Sequence, residues 1–296
     1  MDPEKLFQDF IKTGLYLRNW SPKTVRTYKQ AWSSFQQSLT GNAANSVDQV
    51  VSKAQLEAWV IWLRERGVSP GGCNMYIRTI NSFLSWLRQE GHLSSSIRLR
   101  LLSNPPKPIS GLTDNEIRSL LSFRAKSFYD LRTWTLINTL LDTGSRIDEL
   151  LTLDINKVDL DNLQAVITGK GNKTRIIPVS LELRKSLFRY FKLREGRGIN
   201  SIYAFCTSSG HKLSYRNTFR DIKLLCKKAG VTGAHVHPHA FRHCFATTYI
   251  RRGGDIYRLS RVLGHTSIST TQIYLRSMGI EQIGENHSSL SPLSKY

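Results

Sequence analysis

Six side chains between residues 146 and 274 are of types that could transfer a phosphodiester without a metal. Arg146 follows Thr143-Gly144-Ser145, and Lys170 lies in Gly169-Lys170-Gly171-Asn172-Lys173. His239 and Arg242 are three residues apart after Pro238, His265 closes Leu263-Gly264-His265, and Tyr274 stands nine residues beyond it. A phosphodiester is anionic and resists nucleophiles. Two arginines forked onto its non-bridging oxygens would both bind it and stabilise the charge that grows during attack. A tyrosine hydroxyl, with an ordinary pKa of about 10, needs a base to take its proton and nearby cations to favour phenolate. Once joined to phosphorus it conserves the ester bond for a later attack by another hydroxyl. A lysine on a hairpin tip could protonate the leaving oxygen.

Taken singly, each group has an ordinary explanation. Arg146 could be a surface arginine paired with Glu149 or Asp148, and a tyrosine on an apolar-flanked helix is more often core than nucleophile. His235, His237 and His239 with the neighbouring Cys244 could ligate zinc, yet no His-Glu-x-x-His, paired cysteines or carboxylate in register accompanies them. The combination favours the phosphodiester reading, in which no metal and no other cofactor takes part.

These groups need elements to hold them. A helix opening at Pro238 would put His239 and Arg242 on one face. Arg146 sits where a glycine turn leads into a helix, so backbone N–H groups and the guanidinium could converge on an anion. Thr113 and Glu116 have capping-box spacing, and further helices are expected over 131–141, 147–153, 181–191, 215–229, 239–251, 256–263 and 269–276. The one sheet signal is Gln164 to Thr168 and Thr174 to Val179 joined by the Gly/Asn turn, which reads as a hairpin.

The first hundred residues read as a helical bundle. Ser21-Pro22 is a helix start followed by apolar residues at three-four spacing; Leu56 to Leu63 and Ile77 to Leu87 give two more helices. Lys23, Arg26, Lys29 and Arg78 on these segments, with Lys173 in the turn, are candidate DNA contacts, although each fits a solvated face equally well. Residues 95–110, with Ser94-Ser95-Ser96, Arg98, Arg100 and Asn104-Pro105-Pro106-Lys107-Pro108, break the pattern. The expected division is a helical domain over 1–94, a linker over 95–110 and a second domain over 111–296.

Forty-two Lys and Arg against 22 Asp and Glu leave a formal charge of +20 over 296 residues. A polyanion partner follows, and nucleic acid is the usual one, because each neutralised phosphate releases counterions. No apolar run reaches the length of a membrane span, and Met1-Asp2-Pro3-Glu4-Lys5 lacks the marks of a secretion signal. The protein is expected in the cytoplasm on nucleoid DNA, with its four scattered cysteines reduced.

Through these residues the sequence resembles the tyrosine recombinase (phage integrase) family, and its compact Xer-like members above all. Thr-Gly-Ser-Arg-Ile-Asp-Glu-Leu is similar to the family's first-arginine motif, Gly-Lys-Gly-Asn-Lys to its hairpin lysine motif, and His239-Ala240-Phe241-Arg242-His243 to its His-x-x-Arg box. The resemblance implies a mainly α chain with a small β-sheet: an N-terminal helical core-binding (SAM-like) domain and an α/β catalytic domain. It assigns Arg146 and Arg242 as phosphate clamps, Lys170 as general acid with Lys173 its rival, His239 as a proton-transfer group, His265 as a phosphate ligand and Tyr274 as nucleophile. It implies double-stranded DNA as substrate, a 3′-phosphotyrosyl intermediate, a homotetramer of two dimers on two sites, a C-terminal element from Met278 reaching a neighbour, and room for an accessory protein or partner recombinase. Phe241, where leucine is common, and Ser145 depart mildly from the pattern. Strand relaxation of the type IB topoisomerase kind, a non-catalytic DNA-binding regulator and a metal-dependent nuclease are the other readings.

Overall fold

The computed structural model describes residues 2–39, 47–105, 111–233 and 235–276. The chain divides into two compact units, Met1–Lys107 and Pro108–Tyr296. Part of the expected linker, 106–110, and the tail from Met278 lie outside the described residues.

The first unit consists of α1 (Pro3–Tyr16), α2 (Pro22–Ser38), the single turn α3 (Val47–Val50), α4 (Lys53–Glu65) and α5 (Pro70–Gln89). The starts are set by chemistry in the sequence. Asp2, Ser21 and Ser69 each cap a helix whose first residue is proline, and each side-chain oxygen accepts a backbone N–H that the helix leaves unpaired. The α1 helix is absent from the sequence-based expectation, although Asp2-Pro3 is the same start signal as Ser21-Pro22. Its apolar face puts Phe7 and Phe10 into the core, where Phe7 stacks on Trp32 at 4.9 Å and meets Phe83 edge-on at 5.3 Å. Each such ring contributes roughly 1.5–3 kcal/mol by burial.

Residues 97–102, assigned above to the linker, are fastened along α5 by two asparagines seven residues apart. Asn81 donates from Nδ2 to the Leu99 carbonyl (2.9 Å) and accepts the Leu99 N–H on Oδ1 (3.0 Å). Asn74 makes the same pair of bonds with Leu102, at 2.9 and 2.8 Å. The spacing is geometric: seven helical residues rise about 10.5 Å, and three extended residues cover about 10 Å.

In the second unit, α6 (Asp114–Leu121) opens with the expected capping box, Thr113 with Glu116. The central α7 (Phe128–Thr143) is buried almost all round and packs against α9 (Leu181–Glu195), α10 (Tyr215–Lys228) and α11 (Pro238–Arg251). Between them lie the one-turn α8 (Ile147–Leu150) and a three-stranded antiparallel sheet, β1 (Val158–Asp159), β2 (Gln164–Thr168) and β3 (Thr174–Pro178), in that order. On β2, Ala165 and Ile167 point inward, as the period of two requires. α8 is shorter than the expected 147–153, because the chain leaves the helix for a 3-10 turn over Ile155–Lys157. The two-residue β1 carried too little pattern to be seen in the sequence. The last elements, α12 (Ile256–Leu263) and α13 (Ile268–Arg276), join α11 around Ala246, Leu259 and Leu263, with Tyr274 packed against them.

Candidate active site

Gly144 ends α7 in the left-handed conformation (φ +61°), turning the chain so that Arg146 stands at the start of α8. The Gly144 carbonyl accepts a 2.6 Å bond from Nη1 of Arg242, on α11. Nη2 of Arg242 donates to the Leu263 carbonyl (2.9 Å) and to Nε2 of His265 (2.8 Å). Nη1 of Arg146 reaches the same Leu263 carbonyl at 3.4 Å. The two arginines, 96 positions apart, are therefore tied to the C-terminal end of α12. Arg242 is 4% exposed, whereas the Arg146 side chain is 40% exposed and open to a ligand.

Such a concentration of positive charge needs an anchor, and Glu149 is it. The Glu149 carboxylate is buried and accepts the Arg146 N–H (2.8 Å), Nη1 of Arg146 (3.1 Å) and both terminal nitrogens of Arg175 on β3 (2.9 Å each). Burial works against its charge, but the bonds from Arg175 and Arg146 outweigh it and hold the carboxyl below the usual range. The Arg146–Glu149 pair that would make Arg146 an ordinary surface arginine is present, yet it leaves the guanidinium beside Arg242. Arg175 went unnoticed in the sequence. Its signal was an arginine at an inward position of a strand, two residues before the buried Ile177.

His265 is held from both ring nitrogens, since Nδ1 lies 2.8 Å from Oγ1 of Thr271. Burial and then the charges of Arg242, Arg146 and Arg175 push its pKa down to about 4. His239 is exposed on α11 and lowered by desolvation, then by Arg242 and Arg146. Both are neutral near pH 7. Tyr274 is half-buried; its ring stacks with His265 (6.3 Å between centroids, 11°) and packs tilted on His243 (5.5 Å, 44°). A side-chain hydrogen bond and charge interaction between Tyr274 and Arg242 favour the charged arginine, against burial and Arg146.

The β2–β3 turn adjoins this cluster. A Cβ on Gly169 would stand 3.2 Å from Oε1 of Glu149. Gly171 and Asn172 take positive φ (75° and 58°) to close the turn, and Lys173 is exposed within it. Lys170 lies in the same turn; its side chain is outside the described residues. His237 caps α11, accepting the Ala240 N–H on Nδ1 at 3.1 Å, and His235 pairs with Glu116 at 2.9 Å. Among the described residues, no three His, Cys, Asp or Glu side chains gather closely enough to hold a metal ion.

The DNA-contact candidates in the first unit are exposed: Lys23, Arg26 and Lys29 on α2, and Arg78 on α5. At 100° per residue the three on α2 span about 120° of arc. Arg78 lines a groove of about 930 Å³ with Arg88, Arg98 and Arg100, the last two presented by the segment fastened to α5.

Residues 111–279 match the family model described as "Phage integrase family", and residues 7–91 match "Phage integrase, N-terminal SAM-like domain". The chain is 27% identical over 289 residues to tyrosine recombinase XerC of Proteus mirabilis, covering 94% of this chain and 91% of that one. It is 27% identical over 279 residues to tyrosine recombinase XerD of Listeria monocytogenes, covering 91% and 93%. Among solved structures, it resembles the Tn1549 transposon integrase in complex with transposon right end DNA, with a TM-score of 0.80 at 20% identity, covering 97% of this chain and 99% of that one. It also resembles the XerH site-specific recombinase bound to palindromic difH substrate, with a TM-score of 0.73 at 22% identity, covering 95% and 83%. At these identities the two structures speak for the fold.

Proposed function

The chain belongs to the phage integrase family, and from that premise we propose that this site-specific DNA recombinase cuts and rejoins duplex DNA through Tyr274. The observation that supports the residue assignment best is the convergence of Arg242, His265 and Tyr274, with Arg146 tied to the same Leu263 carbonyl. Arg146 and Arg242 receive the non-bridging oxygens of the scissile phosphate. The Tyr274 oxygen forms a bond to phosphorus as the bond to the 5′ oxygen breaks. The phenolic proton passes to a base, a role assigned to His239, and the 5′ oxygen takes a proton from Lys170, or from Lys173 on the same turn. Nothing is oxidised or reduced, and the 3′-phosphotyrosyl ester keeps the bond energy for attack by a partner strand's 5′-hydroxyl. His265 as a neutral ring orients Arg242 and donates nothing to phosphate from Nε2 until that bond changes.

The reaction is assigned to a homotetramer of two dimers on two DNA sites, in the cytoplasm on nucleoid DNA, with an accessory protein or partner recombinase where one strand pair needs activation. The expected linker over 95–110 then joins a DNA-clamping helical unit to the catalytic unit. No helix among the described residues is long and apolar enough to cross a membrane.

The test is to express the chain and its Tyr274→Phe variant in cells, lyse in denaturing detergent and sequence DNA that stays attached to protein. Adducts from the unaltered chain alone, clustered at an inverted repeat, are expected. Adducts from both proteins would remove Tyr274 from the chemistry, and adducts from neither, with DNA binding intact, would leave a DNA-binding regulator.

A further inference from the structure

Tyr274 is flanked by a second imidazole that the proposed chemistry does not use. His243, one residue after Arg242, is 6% exposed, and its ring packs on the Tyr274 ring at 5.5 Å and 44°. Unlike His265, it is not held through both ring nitrogens: its buried Nδ1 meets no hydrogen-bond partner among the described residues. Burial keeps this ring uncharged near neutral pH. What the position presents to Tyr274 is a flat neutral plate located by packing.

The plate is backed by the first described backbone of the second unit. A Cβ on Gly111 would lie 3.2 Å from Cδ2 of His243, a tight approach that the ring must yield to by a few tenths of an ångström, and 3.4 Å from Sγ of Cys244. The next residue is fastened to the same turn of α11. The Leu112 N–H donates to Sγ of Cys244 (3.1 Å), and the Cys244 thiol donates back to the Leu112 carbonyl (3.7 Å). Packed contacts thus run without a gap from the backbone at 111–112, through His243 and Cys244, to the ring of Tyr274.

We infer that His243 is a positioning residue for the nucleophile, setting the Tyr274 ring by its flat face and taking its own position from the Gly111–Leu112 backbone. The inference rests on Tyr274 being the nucleophile. A tyrosine pivots about its χ angles, and with only His265 and Arg242 left to hold it the ring tilts and moves its hydroxyl off the line of attack. A displacement of about 1 Å is enough to slow a reaction on the order of 100-fold. Affinity for DNA depends on many phosphate contacts elsewhere and stays unchanged.

The probe is the duplex recovered by adduct sequencing, resynthesised with a fluorescent end label. DNA affinity and the rate of covalent attachment are measured on the full chain and on His243→Ala, His243→Phe, Gly111→Ala and the Gly111→Ala/His243→Ala double variant. We expect His243→Ala to lower the attachment rate about 10- to 100-fold at unchanged affinity, and His243→Phe, which restores a flat ring, to recover most of it with an unaltered pH profile. Gly111→Ala should slow attachment in the natural background and add nothing once the His243 ring is gone, because its effect passes through that ring. Attachment at the natural rate by folded His243→Ala overturns the inference. If that variant does not fold, a folded His243→Phe with a lost pH limb, or a Gly111→Ala penalty that persists in the double variant, overturns it instead. Failure of the unaltered chain to form adducts would sink the recombinase reading itself, which is a different result.

Discussion

Arg242 donates through Nη2 to Nε2 of His265 at 2.8 Å, and that one bond decides which nitrogen of the imidazole carries its proton. Arginine has no acceptor, so Nε2 must offer its lone pair, and the ring proton stays on Nδ1, where it is donated to Thr271 at 2.8 Å.

The same bond predicts how the fold responds to acid. The pKa of His265 in the folded chain is pushed down to about 4, against about 6.5 when unfolded. The unfolded chain therefore takes up the proton first. This contribution is fully present above about pH 6.5 and is lost as pH falls toward 4, amounting to on the order of 2 kcal/mol. His237, His239 and His243 are shifted in the same direction. Tm should fall through this window, and His265→Gln should flatten part of the slope. An identical slope in that variant would count against the lowered pKa of His265.

Glu149→Gln keeps the shape and removes the charge that two arginines share. Breaking a buried pair on one side costs about 3 kcal/mol, which urea unfolding would register. Arg146 and Arg175 lose their common anchor, so adduct yield should drop about tenfold or more while Tyr274 is untouched. Full activity in a destabilised Glu149→Gln would confine Glu149 to holding the fold.

Gly264 ends α12 at φ +66°, and a Cβ there would come within 2.7 Å of the Arg175 guanidinium. Gly264→Ala should lose about 1–2 kcal/mol from the backbone conformation and also displace Arg175 from Glu149. Gly67→Ala is the matched control, with φ +79° and nothing within 4 Å of the added carbon. Both variants should lower Tm, but only Gly264→Ala should lower adduct formation.

Asn81→Ala removes both bonds that hold Leu99 and should cost about 1–2 kcal/mol. In hydrogen exchange the Leu99 amide should lose protection while Leu102, still held by Asn74, keeps it. Equal loss at both would mean the two clamps act as one unit.

The sequence made the mainly helical fold legible through local capping signals, Ser21-Pro22 at α2 and Thr113 with Glu116 at α6, and through apolar spacing, as from Ile77 to Leu87 in α5. Arg146, Arg242, His265 and Tyr274 were readable as one group through chemistry and family motif, and they lie together. The parts that escaped are held by contacts between residues far apart in the chain. Arg175 meets Glu149 across 26 positions and Val262 across 87, and nothing local marks such a pair. Residues 97–102 have no helical or strand pattern of their own; their order comes from Asn74 and Asn81, which on a helix look like ordinary polar residues. Asp2-Pro3 at α1 and Ser69-Pro70 at α5 are equally legible caps that went unread.

The Leu263 carbonyl, which receives both Arg146 and Arg242, couples the two arginines through a single acceptor. It closes α12, far along the chain from Arg146 and 21 positions after Arg242. Until α12 docks, the two guanidiniums have no common fixture and Tyr274 has no place. Fraying of α12 therefore loosens both guanidiniums at once, so the two arginines keep or lose their alignment together.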